Sequence, residues 1–446
     1  MISSKDFGKE FLWGVATAAA QIEGAAESYG RGPSIWDTFS QRSGKIKKGH
    51  RPTLACDFYH RFKEDIALVK LLGFKVFRFS ISWSRLLPNG RGQVNPEGIA
   101  FYHQVIDECL LQGLMPYVTL YHWDLPEKLS KEGGWTAFSI NADFNEFVLL
   151  CAKTYGDKVK NWIVLNEPLG FTSLGYMLGI HAPGQTGLSN FLSSVLHVAI
   201  AQADGGRILR AEVASAHIGT TFSCSEIIPY TQQEADLIAA RRMDCLMNRL
   251  FIEPTLGMGF PDADWDVLEK FIIGRSTWRY QERMTFDFDF IGLQNYFPMV
   301  VKFNSFVPII QAWEVKARYR KKPYTSMGWE INADSFYHIL KQFAAYPGIK
   351  EIMITEGGAA FADQFENEKI NDQQRIAYFQ DYLSALLRAK NEGLPITGYL
   401  AWTLMDNFEW AEGYQAKFGL VHNDFKTQKR TVKESGYWWK RFLSQA

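Results

Sequence analysis

The chain has 446 residues, 47% hydrophobic and 22% charged, which supplies a large core and excludes a disordered chain. Lys and Arg number 48 against 48 Asp and Glu, so the basic excess typical of nucleic-acid and anionic-membrane binders is missing. Aromatic residues reach 15%, with 14 Trp, a supply suited to a core and also to a cleft that stacks on sugar rings.

In chain order, short apolar, β-branched or aromatic runs fall at Phe11–Ala19, Lys75–Ile81, Pro116–Tyr121 and Trp162–Leu165. They continue at Glu212–Ile218, Phe288–Asn295, Ile352–Thr355 and Gly398–Leu404. Between them lie amphipathic segments such as Phe62–Leu72 and Arg375–Lys390, with apolar residues at three- and four-residue spacing. Strand–helix alternation with continuously apolar strands predicts a parallel sheet covered by helices, of the α/β class. Eight such units without a linker predict one catalytic domain over 1–446, a closed (β/α)8 barrel in preference to an open doubly wound sheet.

Polar residues gather where these runs stop: Tyr121-His122-Trp123-Asp124, Asn166-Glu167-Pro168, Gln294-Asn295-Tyr296, Glu356-Gly357-Gly358, and Asp406-Asn407-Phe408-Glu409-Trp410. In a barrel all strand ends of one polarity open on one face, where active sites are built. A Glu at the end of a buried strand is poorly solvated and costly without a partner or a role. Glu167 and Glu356 both occupy such ends. Two carboxylates across a dry cleft suit glycoside hydrolysis, one protonated to donate and one ionised to attack or to activate water. A purely structural Glu bonded to a neighbouring Arg is the alternative at this point. Arg78, set among apolar residues in Phe77-Arg78-Phe79-Ser80, is the cation expected to hold one of them ionised.

No phosphate-binding loop, dinucleotide fingerprint, H-E-x-x-H or G-x-S-x-G motif is present. His50, His60, His103 and His338 read as surface or satisfied core residues, and no cofactor and no metal site are expected. Asp406 and Glu409, three residues apart, are better suited to capping or to sugar hydroxyls than to a cation. Five widely spaced cysteines without a C-x-x-C pair suggest reduced thiols. The N-terminus carries no signal-peptide pattern, and no window nears the roughly 18 apolar residues of a membrane span. A cytoplasmic protein is expected.

Several motifs then carry a family likeness: FLWGVATAAAQIEGA (11–25), RGPSIWDTF (31–39), FRFSISWSRLLPNGRGQVNPEGIAFY (77–102), PYVTLYHWDLPEKL (116–129), NWIVLNEP (161–168), DFIGLQNYF (289–297), ITEGGAAF (354–361) and AWTLMDNFEWAEGYQAKFGLVHNDF (401–425). Over nearly its whole length the chain resembles the family 1 glycoside hydrolases, the β-glucosidase and β-galactosidase group. The resemblance implies a (β/α)8 barrel and a retaining exo-β-glycosidase, most simply a β-glucosidase, acting on β-glycosides or short β-linked oligosaccharides. It implies Glu167 as acid/base and Glu356 as nucleophile, with Arg78 and Tyr296 holding the nucleophile. Asn166 is implied at the sugar 2-hydroxyl, Gln21, His122, Glu409 and Trp410 at the other glycone hydroxyls, and Trp402 under the ring. Trp123 and Asn295 are placed in the same pocket, and Trp329 on the aglycone side.

Gly357 stands where the family most often has Asn, and His422 follows Val421 where an aromatic is usual. The tract Asn304–Tyr324 matches little. The intact Glu167 and Glu356 disfavour both a sugar-binding relative without catalysis and a thioglucosidase. A 6-phospho-β-glycosidase is disfavoured because Glu409 would repel a phosphate at O6. Choice among gluco, galacto and fuco sugars, aglycone preference and oligomeric state are not legible in the residues.

Overall fold

Val76-Phe77-Arg78-Phe79-Ser80 is buried at every position, which suits a strand covered on both faces. Similar segments recur along the chain. The computed structural model describes residues 2–261, 280–366 and 369–444. Its barrel strands are β1 (Leu12–Ala16), β2 (Val76–Ser80), β3 (Met115–Tyr121), β4 (Asn161–Asn166), β5 (His217–Ser223), β6 (Phe290–Gln294), β7 (Ile352–Gly357) and β8 (Ile396–Trp402). They close as an eight-stranded barrel in sequence order, β8 returning to pair in parallel with β1. Helices precede or follow the strands throughout, including Phe58–Leu71 before β2, Leu188–Glu212 before β5 and Gln373–Asn391 before β8. Local chemistry starts several of them. Asn95 accepts from the Glu97 amide and Pro96 takes the first helical position, where its missing N–H is not needed.

Alternation along the strands builds the interior and aims the site. Phe77, Val118 and Val164 face the helices, in the main core. Val76, Tyr117, Ile163, Phe290, Met353 and Leu400 fill the barrel. Two residues beyond Val76, on the same strand face, stands Arg78, and two beyond Tyr117 stands Thr119. The interior therefore turns from apolar to polar toward the strand C-termini, and that end carries the polar clusters.

The fifth strand corrects the sequence expectation. Glu212 is the last residue of the helix Leu188–Glu212, Val213–Ala216 only connects, and the strand is His217–Ser223. Buried Val213 and Ala216 imitate a strand start. The true strand points Thr221 into the polar half of the barrel, against Thr355, and Thr220 outward, where it donates to Gln202 of the covering helix, and the two threonines break the apolar signature. Smaller shifts occur at the first run, where Ala19 opens a helical turn Ala19–Ile22, and at the eighth, which starts at Ile396. Part of the unmatched tract 304–324 forms the strand Ala312–Glu314, antiparallel to Met299–Phe303. All five cysteines are buried. Among the described residues no helix is long and apolar enough to cross a membrane.

Gly219 on β5 has Phe290 as its interior neighbour. A β-carbon there would lie 2.3 Å from the Phe290 ring, and the filled barrel leaves the ring little room. Gly219→Ala is expected to lower unfolding free energy by about 1–3 kcal/mol, as overpacking does. A shift of the denaturant midpoint measures it, and an unchanged midpoint would show that the ring can yield.

Candidate active site

Arg78 lies at the centre of the polar end and has no exposed surface. Its Nε donates to Thr119 Oγ1 at 3.0 Å. Nη1 donates to Glu356 Oε1 at 2.7 Å and to the Thr355 carbonyl at 2.9 Å, and Nη2 to Asn166 Oδ1 at 2.5 Å. One guanidinium thus ties β2 to β3, β4 and β7. A buried cation without such partners would be strongly destabilising.

Asn166 is the second junction. Its Oδ1 takes hydrogen bonds from Arg78 and from Gln294 Nε2 at 2.8 Å. Those two donors leave Nδ2 facing His122 Nε2 at 3.0 Å and Glu167 Oε2 at 3.4 Å. His122 Nε2 must then accept, so its proton sits on Nδ1. Burial, then the nearby Arg78 charge, holds this imidazole well below its usual titration range, in keeping with a neutral ring.

The two carboxyls have unlike surroundings. Glu356 is 3% exposed and receives Arg78 and the Tyr296 hydroxyl, the latter at 2.8 Å. Burial raises its pKa above the ordinary carboxyl value, against lowering by Arg78, Tyr296 and Gln294. Glu167 has no cation in contact. Burial first and the neighbouring Glu356 charge second push it well above the ordinary value, against weaker lowering by Arg78 and Ser223. Glu356 is therefore the first of the pair to ionise, and Glu167 the one that keeps its proton.

Around this pair stands a polar and aromatic wall. Gln21 Nε2 donates to Asn407 Oδ1, the Phe408 carbonyl and Glu409 Oε2, at 3.1, 2.9 and 3.2 Å. Trp123 and Trp410 stack with ring centroids 4.9 Å apart, and Trp36 packs under Trp410 at 4.5 Å. His122 stacks on Trp402 at 6.0 Å. Trp329 reaches the site through Tyr296, 5.2 Å away, and rests on Phe297. Asn295 donates to the Cys224 carbonyl at 2.9 Å. Gln21 Oε1, His122 Nδ1, Gln294 Oε1 and Asn295 Oδ1 are buried with no partner among the described residues. Such atoms are uncommon in a finished core, and as a mixed set of donor and acceptors they suit hydroxyl groups.

Glu167, Trp123 and Trp410 adopt left-handed backbone angles, φ +45°, +77° and +46°. Non-glycine residues pay about 1–3 kcal/mol for this, and it persists where surroundings enforce it. The Glu167 amide donates to the Thr221 carbonyl at 2.9 Å and Trp123 Nε1 to the Asn166 carbonyl at 2.9 Å.

Sequence reasoning overlooked several contributors. Gln294 stood in a polar strand end that had been noticed, but without an assigned role. Ser223, which hydrogen bonds Glu167, was hidden because the fifth strand was placed too early. Trp36 and Phe418 are core-like in sequence and gain meaning only from the rings they support. Asp406 and Glu409 part company. Asp406 pairs with Lys433 and accepts from the Gly419 amide, while Glu409 turns to Gln21.

The profile of Glycosyl hydrolase family 1 matches residues 3–446. The chain belongs to that family. It is 41% identical over 440 residues to β-glucosidase A of Thermotoga maritima, covering 98% of this chain and 97% of that protein. It is 40% identical over 441 residues to the 1,4-β-D-glucan glucohydrolase of Thermotoga neapolitana, covering 98% of each. Among solved structures, the Thermotoga maritima β-glucosidase in complex with glucoimidazole superposes with a TM-score of 0.94 at 40% identity, covering 98% of this chain and 99% of that one. The family and the fold make the chain a glycoside hydrolase that acts on O-glycosyl bonds.

Glu409 gives this site a pH signature. Burial first, then the Glu356 charge, push its carboxyl from an ordinary 4.5 up to about 8, against hydrogen bonds from Gln21 and Trp402. Between those values the folded protein holds a proton that the unfolded chain has released, so stability falls as pH rises through that window. Denaturant titrations from pH 5 to 8 are expected to show a shallower decline in Glu409→Gln than in the wild type. Equal slopes would contradict the buried, proton-retaining Glu409.

Proposed function

We propose that the protein is a retaining exo-β-glycosidase, a β-glucosidase, with Glu356 as nucleophile and Glu167 as acid/base. The observation that carries this reading is the unequal environment of the two glutamates: a cation and a phenol on one, neither on the other.

The chemistry follows from that inequality. The Glu356 carboxylate attacks the anomeric carbon, the bond to the leaving oxygen breaks, and the Glu167 proton passes to that oxygen. Glu356 then carries an ester and no charge. The main charge that raised Glu167 is gone, so Glu167 becomes a stronger acid and stays ionised in the second half. There it takes a proton from water, whose oxygen bonds to the anomeric carbon as the ester breaks. Two displacements restore the β configuration. Arg78 and the Tyr296 hydroxyl orient the attacking carboxylate, and burial of Tyr296 beside Glu356 keeps that hydroxyl protonated.

Asn166, Gln21, His122, Asn295, Glu409 and Trp410 are read as glycone ligands, with Trp402 and Trp123 as aromatic walls and Trp329 on the aglycone side. The substrate class is a β-glycoside or a short β-linked oligosaccharide, in keeping with the named activities of the Thermotoga relatives. Glu409 disfavours a phosphorylated glycone, since even its ionisation is opposed by Glu356. Residues 1–446 are read as one catalytic domain, and five buried, widely spaced cysteines favour a reducing, cytoplasmic setting.

Azide separates the two roles. With an activated aryl glucoside, Glu167→Ala supplemented with azide should form the β-glycosyl azide, because azide replaces water in the second displacement. Glu356→Ala with azide should form the α-glycosyl azide, because azide replaces the missing nucleophile. NMR of the products reads the anomer. The opposite assignment, or no azide product from either variant, would reject these roles.

A further inference from the structure

Lys433 immediately precedes the last helix, Glu434–Leu443, and is completely buried. Its ammonium donates to Asp363 Oδ2 at 2.5 Å and to Asp406 Oδ1 at 2.8 Å. Neither aspartate belongs to the proposed catalytic set, yet each lies on one of its loops. Asp363 ends the segment that leaves Glu356, and Asp406 stands between Trp402 and Glu409.

Both loops have further fastenings, one of them shared, since Arg375 Nη2 also donates to the Lys417 carbonyl on the second side. Arg375 holds the first, with Nε on the Ala359 carbonyl at 3.2 Å and Nη2 on Asp363 Oδ1 at 3.1 Å. On the second, Asp406 Oδ1 accepts from the Gly419 amide at 3.0 Å, and the Asp406 amide donates to the Val421 carbonyl at 2.9 Å. The Lys433 amide donates to the neighbouring Leu420 carbonyl at 2.9 Å. Asp363, Asp406 and His422 bring ligand atoms within 4.8 Å of one another, the makings of a cation site. The Lys433 ammonium supplies the cation from within the chain. Contact between the loops is close elsewhere too, since a β-carbon on Gly358 would fall 1.9 Å from the Trp402 carbonyl.

We propose that Lys433 is a positioning residue for sugar selection: by bridging Asp363 and Asp406 it fixes Glu409 relative to Glu356, and so sets the preference for sugars that carry a 6-hydroxymethyl group. Without the ammonium, Asp363 keeps Arg375 and Asp406 keeps the Gly419 amide and His422, but the cation between the two carboxylates is lost, and the loops separate or rearrange to relieve the like charges. Glu356 keeps Arg78 and Tyr296, so the reacting end is disturbed less than the Glu409 end. The inference rests on the reading that Glu409 meets the 4- and 6-hydroxyls of the glycone.

Nitrophenyl β-glucoside and β-xyloside differ only in the 6-hydroxymethyl group, so the ratio of their kcat/KM values isolates that contact. Lys433→Met is expected to lower the glucoside:xyloside ratio about tenfold, the scale of one lost hydrogen bond. Asp363→Asn keeps the Asp406–Lys433 pair and should shift the ratio the same way by less. Equal losses on both sugars in Lys433→Met, whatever the change in melting temperature, would reduce Lys433 to a structural residue and overturn the proposal. Should that variant fail to fold, an unchanged ratio in Asp363→Asn overturns it instead. Glu409→Gln is the control. If it leaves the ratio unchanged, the placement of Glu409 at the hydroxymethyl group is wrong, which is a different failure from an insensitive Lys433.

Discussion

The Arg78 guanidinium is the interaction on which the site depends. Buried inside the barrel, it must be neutralised and fully hydrogen bonded to be tolerated. Thr119, Thr355, Asn166 and Glu356 meet that demand from three other strands. The same contacts place a carboxylate beside a cation and fix the side-chain amide of Asn166, which in turn fixes the tautomer of His122. Glu167, one residue beyond Asn166, has no contact with that cation among the described residues and feels it only as a weaker lowering against burial and the Glu356 charge. Structural necessity and chemical asymmetry thus come from one residue.

Much of this was legible in sequence because it follows from period and position. Strands buried on both faces read as continuous apolar runs, and a Glu or Arg within or at the end of one is conspicuous, as with Arg78, Glu167 and Glu356. The fifth strand was misplaced because Thr221 faces the polar half of the barrel and Thr220 bonds Gln202 of the covering helix, so no apolar run marks the strand. Ser223 was lost with it. Trp36 is a core residue by any sequence criterion, and its place beneath Trp410 depends on a contact between residues far apart in the chain. Lys433 was illegible for a related reason. A lysine before a helix reads as solvent-exposed, and only the packing of two distant loops shows it to be buried between Asp363 and Asp406.

The glycone end follows a different design from the reacting end. At the reacting end Arg78 makes four hydrogen bonds within the protein. At the glycone end Gln21, His122, Gln294 and Asn295 each retain a buried polar atom without a partner among the described residues. Such atoms carry a desolvation cost that a hydroxyl-bearing ligand relieves, and a ligand lacking the hydroxyl does not. On the proposed reading, selectivity for a sugar resides in what the protein leaves unsatisfied, and the Trp123, Trp402 and Trp410 rings supply the complementary apolar surfaces.

The central claim is that the charge on Glu356, set by Arg78, controls the proton on Glu167. Carbon-13 NMR titration with carboxyl-labelled glutamate tests it most directly, in the free enzyme and after Glu356 has been esterified by a 2-deoxy-2-fluoroglucoside. Glu356 should titrate below Glu167 in the free enzyme, and Glu167 should titrate at markedly lower pH once Glu356 carries the sugar. A Glu167 that ionises before Glu356, or whose titration does not move when Glu356 is esterified, would contradict the account.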